Sequence, residues 1–192
     1  MFLESGALYR AAGLSGVVAL VALVVAAVTI ALFFGGAGQV FGPINDVFVA
    51  IMVIALILPI LAVDRLAAGQ AGLWLRIVSV GAITGAVLIA VGQLLLVVGV
   101  IDLETSFVTG GLGIIPVLVW IVALIVLAVP LGILPSSVGL LAGAAIALIV
   151  VGSVVTVVTT GPIAWAAWIA VGVVLAVWLA DLSARFMGRA AA

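Results

Sequence analysis

The hydrophobic pattern of this chain is one of long uncharged runs parted by short polar breaks. A helix rises about 1.5 Å per residue, so about 20 apolar residues cross a bilayer core of about 30 Å. Six runs reach or approach that length: 11–34, 43–63, 77–101, 114–134, 137–160 and 162–180. They predict an all-α integral membrane protein, a single domain over 1–192 with six transmembrane helices. The first run exceeds the apolar core of a signal peptide and follows both Glu4 and Arg10, so it reads as a span.

The breaks carry turn and cap chemistry. Residues 35–42 are glycine-rich, and 64–76 form a polar connection. Asp102 and Glu104 open a polar stretch that reaches Gly113. Pro135-Ser136-Ser137 predicts a tight turn in which Ser136 or Ser137 caps the next helix. Gly161-Pro162 turns the chain once more, and 181–192 is expected to be a short tail.

The run between Arg76 and Asp102 has the clearest face. At about 100° per residue, Gly81, Gly85, Gly92 and Gly99 fall within about 40° of one another. Ser79, Ala82, Ala86 and Ala90 extend the small surface. Small side chains let helix backbones approach closely, so this span is expected to be an inner helix of a bundle. Gly139 and Gly143 supply a similar packing pair on the fifth span.

Odd and even spans differ. The odd ones hold most of the Gly, Ser and Thr, whereas each even one begins at or near a proline: Pro43, Pro116 or Pro162. Three helical hairpins in pseudo-threefold repeat, each with an inner odd helix and an outer even one, would explain the alternation. Internal repeats are common in membrane transport folds. A composition dominated by Ala, Val, Gly and Leu produces the same short likenesses by chance.

Six spans put both termini on one side. Arg10, Arg65, Arg76, Arg185 and Arg189, the whole positive complement, then share that side. Asp46, Asp102 and Glu104 stand opposite. The positive-inside rule places both termini in the cytoplasm of a multi-pass cell (plasma) membrane protein. Tyr9, Trp74, Trp178 and Phe186 are expected at the inner boundary, and Phe33, Phe34, Trp165 and Trp168 at the outer one.

Composition narrows the chemistry. The chain is 69% hydrophobic and 6% charged, with a net charge of -1, which argues against nucleic acid as a partner. It has no His and no Cys, and its five positive residues are all arginine. The usual general base, thiolate nucleophile, Schiff-base amine and soft metal ligands are therefore missing. No ionisable side chain lies mid-span, which weighs against a proton relay or an ion-coupled carrier. No catalytic residue, metal site or cofactor is expected.

Gln93 is the most polar side chain at depth, and Thr29, Ser153 and Thr156 lie at comparable depth. Together they are candidates to line a small outward cavity for a neutral or amphiphilic ligand. The competing expectation is that Gln93 bonds a neighbouring helix and that the hydroxyls bond their own backbone. Arg185 and Arg189, four residues apart, can touch anionic headgroups. The expected function is a non-catalytic membrane component: a small oligomeric scaffold, an accessory subunit or a lipid-interacting protein. The alternative is a channel or carrier for a small neutral or hydrophobic solute. Partners compatible with either are membrane lipid, further copies in a homo-oligomer, or another membrane subunit.

Overall fold

The computed structural model describes residues 5–159 and 162–191. Glu4, at the start of the chain, and Thr160 and Gly161, in the expected last turn, lie outside them. The elements are α1 (Ser5–Phe34), α2 (Phe41–Ala55), α3 (Ile57–Ala67), α4 (Gly72–Val97), α5 (Leu103–Ala128), α6 (Ser136–Val158) and α7 (Pro162–Ala190). Six stretches are long and apolar enough to cross a membrane, with α2 and α3 forming one of them, Phe41–Ala67.

The break between α2 and α3 has a local cause. Pro59 has no N–H to give the carbonyl four residues earlier, and its ring crowds that carbonyl. Leu56 still donates to Met52 at 3.2 Å and Ile60 donates to Leu56 at 3.0 Å, so the missing rung is the one from Pro59. The bereft carbonyl, that of Ala55, accepts instead from Ser15 Oγ on α1 at 2.6 Å.

The spans form a closed up-and-down ring. Each packs on its neighbours in sequence, and α7 closes against α1. Both described chain ends therefore meet at one end of the bundle, where the rings of Tyr9 and Phe186 stack at 6.1 Å. At the far end Phe34 meets Trp165 at 5.7 Å. Helix direction puts the five arginines at the termini end, where Asp64 sits 3.8 Å from Arg76 and Asp181 2.9 Å from Arg185.

Small residues make the seams. A Cβ on Gly85 would collide with the Gly113 carbonyl, and one on Gly113 would stand 2.7 Å from the Gly85 carbonyl, so α4 and α5 touch backbone to backbone. Gly92 packs on Thr109, and Gly139 on Ala128. On α1, Gly13 and Gly16 admit Met187 and Ser183 of α7. Large aliphatic side chains turn outward instead, as Ile77, Val80, Val87, Val91 and Leu94 do along α4. In lipid this costs little, because acyl chains are as apolar as Leu or Val, and close packing decides the seam.

The interior is filled mainly toward the termini end. Ile60, Val63, Leu75, Leu124, Leu127, Val138 and Phe186 are fully buried there. Trp120 of α5 and Trp178 of α7 meet edge to face at 6.2 Å, linking helices that are not ring neighbours. Neither indole N–H finds an acceptor among the described residues, nor does Ser79 Oγ.

Several expectations need correction. The fourth span runs over Leu103–Ala128 rather than 114–134. Asp102 caps it by accepting from the Thr105 N–H at 2.8 Å, so Pro116 lies inside the helix. Pro130 ends it early, because a proline disfavours helix in the residue before it. The expected tail is helical to Ala190, held by the buried Leu182, Ser183 and Phe186. Pro135 stands at the N-cap of α6, with no side-chain cap from Ser136 or Ser137. Gly99 does not pack: it lies past α4 at φ 73° with no neighbour for a Cβ. There it closes the helix, with Val100 donating to Leu95 at 2.9 Å and Gly99 itself to Leu96 at 3.0 Å.

The expected inner–outer alternation is not seen. The most apolar windows of the even spans are 44%, 44% and 28% buried, against 22%, 33% and 17% for the odd ones. In a ring every helix keeps a lipid face, so α4 is a member of the wall rather than an enclosed helix. Trp178 and Phe186 are core residues, not boundary anchors.

Candidate functional site

The half of the bundle away from the termini is less filled. There α1, α6 and α7 line an open hollow of about 660 Å³. The sequence of the α1–α7 seam explains it. Near the termini the seam is narrow, because Gly13 and Gly16 let α7 approach. Toward the other end α7 presents Trp165 and Trp168, and α1 presents Leu23, Ile30 and Phe34. Bulky rings keep the two helices apart where glycines would have let them close.

The walls are almost wholly apolar, with polarity concentrated at three side chains. Trp168 Nε1 donates to Thr156 Oγ1 at 2.9 Å, and Thr156 Oγ1 donates to the Gly152 carbonyl at 2.7 Å. Thr159 Oγ1 donates to the Val155 carbonyl at 2.9 Å. Asn45 reaches the cavity from α2, its amide 3.2 Å from Asp46 Oδ1. These bonds anchor Trp168 and leave hydroxyl and amide groups at the rim. No titratable side chain lines the space.

A second hollow of about 390 Å³ adjoins the first and shares Leu23, Ala27, Ile30, Trp165, Trp168 and Gly172 with it. Its other walls include Val24, Val28, Ile169 and Val173, all exposed on the lipid-facing side of α1 and α7. The two spaces meet at the tryptophan pair. At Gly172 an added Cβ would meet nothing within 4 Å, so both spaces have room at the same point.

The residues expected to share a pocket are dispersed. Thr156 lines the cavity. Ser153 is exposed on α6 and bonds the Ile149 carbonyl at 2.8 Å. Thr29 is buried on α1 and bonds the carbonyls of Val25 and Ala26, at 2.8 and 3.1 Å. Gln93 is half-buried on α4, which is separated from α6 by α5. Three of the four hydroxyl and amide candidates thus do not face the cavity that Thr156 lines. The tryptophans, Phe34, Asn45 and Gly172 carry the site, and the first three were read as boundary aromatics. Trp165, Trp168 and Gly172 stand at helical spacing on one face of α7, which is the signal their order contained.

Such a space suits a neutral molecule with an apolar body and one or two polar atoms. No group of three metal-ligating side chains occurs among the described residues. No family model, curated protein or solved structure matches this chain.

Proposed function

We propose that this chain is a non-catalytic membrane protein that holds a neutral, largely apolar molecule of the lipid class between α1, α6 and α7. One observation carries the reading: the cavity of about 660 Å³, apolar on its walls and hydrogen-bonding at Thr156, Thr159 and Asn45. The hollow on the lipid-facing side of Trp165 and Trp168 supports entry sideways from the bilayer. The packed interior around Trp120 and Trp178 supports holding over passage through the bundle. The separation of arginines from Asp102 and Glu104 supports an orientation with both termini in the cytoplasm.

The test is native mass spectrometry of the full chain after gentle extraction, beside Gly172→Leu. A leucine there fills the hollow without meeting a neighbour at its Cβ. The wild type should carry a defined small mass that the variant loses while keeping its melting temperature. A wild type stripped of any retained molecule, or a variant that keeps it, overturns the reading.

A further inference from the structure

We infer that the termini end of the bundle carries a separate site for the phosphate of an anionic phospholipid, built on Arg185 and Arg189. The two arginines border a hollow of about 320 Å³ between the end of α3, the α5–α6 turn and the last turns of α7. Its remaining walls are apolar, with Leu66, Leu134, Val138 and Phe186 among them. Cationic groups beside an apolar trough match a phosphate with an acyl chain attached.

Arg185 is held in place before any ligand arrives. Its Nε donates to Asp181 Oδ1 at 2.9 Å, and its Nη2 donates to Ser137 Oγ at 2.8 Å. Ser137 Oγ in turn donates to Asp181 Oδ2 at 2.9 Å. This closed triangle engages both carboxylate oxygens and fixes the guanidinium plane, leaving further N–H groups on the fork. A fixed guanidinium loses little freedom on binding, and its fork matches two phosphate oxygens. The triangle explains why Ser137 does not cap α6. Arg189 adds a second positive charge one turn later and has no ion-pair partner among the described residues. Counting Asp181, the cluster keeps one net positive charge.

Depth agrees with this ligand. Counting from Pro162, about 1.5 Å per residue brings Arg185 and Arg189 some 34 and 40 Å along α7. A bilayer core of about 30 Å ends before that, so both guanidiniums reach headgroup level. The site is remote from the tryptophan cavity, and either can fail without the other.

The test uses the full chain in mild detergent, with dioleoyl phosphatidylglycerol, dioleoyl phosphatidylcholine or inorganic phosphate added at equal concentration. Native mass spectrometry reads what is retained. The wild type should retain phosphatidylglycerol about thirty-fold more than phosphatidylcholine, as two arginines imply. Arg189→Gln should cut that preference about five-fold. Gly188→Trp, at a position where a Cβ meets nothing, should fill the trough and weaken both lipids without removing charge. Inorganic phosphate should not displace the lipid. Equal retention of the two lipids, an unchanged preference in Arg189→Gln, undiminished lipid retention in Gly188→Trp, or full displacement by phosphate would overturn the inference.

Discussion

Ser15 Oγ donates a 2.6 Å hydrogen bond to the carbonyl of Ala55, forty residues away on the second span. That carbonyl is the one Pro59 leaves without an intrahelical donor. The proline fault in one span is thus repaired by a hydroxyl on the preceding one, and the repair pins α1 to the α2–α3 break. Ser15→Ala should cost about 1–2 kcal/mol, since a buried acceptor loses its partner. In a Pro59→Ala background the backbone regains its own donor, and the same serine change should cost much less. Unfolding of all four proteins in detergent gives the coupling directly. Equal serine penalties in both backgrounds would show that Ser15 acts in some other way.

The α4–α5 seam predicts a contrast between two glycines one turn apart. A Cβ at Gly85 collides with the Gly113 backbone, which cannot yield as a flexible side chain can. At Gly81 the nearest atom is Pro116 Cβ at 3.7 Å, an ordinary contact. Gly85→Ala should therefore destabilise by about 1–3 kcal/mol through overpacking. Gly81→Ala should be neutral or slightly stabilising, because alanine is the better helix former. Thermal melts of the two purified variants distinguish these outcomes.

Asp102 predicts a pH dependence. Hydrogen bonds from Thr105 hold its carboxyl below the usual aspartate range. A carboxyl whose folded value lies below its unfolded one stabilises the fold above the unfolded value, about 3.9, and ceases to do so as pH falls through the folded one. Asp102→Ala should then lower the melting temperature at neutral pH. The gap between the two proteins should close in acid below the folded value. A gap that persists there would assign the loss to something other than the charged cap.

The segregation of charge predicts a topology that single cysteines can read, because the natural chain contains none to interfere. Ala191→Cys should be shielded from a membrane-impermeant maleimide in intact cells and react after permeabilisation. Ala37→Cys, in the exposed α1–α2 connection, should react at once. The reverse pattern would invert the assignment of sides.

Much of the fold was legible in the residues. The six apolar runs became six spans, and the arginines gathered at one end because alternating helices carry them there. The glycine seam on α4 was recognisable at Gly85 and Gly92, though its partner was not. Gly113 ends the polar stretch that Asp102 and Glu104 open, outside the expected span. Glycine weakens an isolated helix, but here Gly113 is the position at which α5 meets α4. The acidic cap at Asp102 was the available sign that the helix starts earlier. Of the residues expected to share a pocket, Thr156 alone lines the hollow between α1, α6 and α7. Polarity drew attention to Gln93, Ser153 and Thr29, yet Ser153 and Thr29 satisfy themselves on their own backbones.

The sequence by itself determined the number of spans and the segregation of charge. Both follow from hydropathy along the chain, a one-dimensional property that the thickness of a bilayer converts into structure. Only the tertiary structure decided which face of each helix is buried, that α7 closes on α1, and that bulky rings open a cavity where glycines end. In water a helix marks its inner face by being apolar. In lipid both faces are apolar, so side-chain size against a particular neighbour decides the packing, and that neighbour is unknown until the helices are placed together.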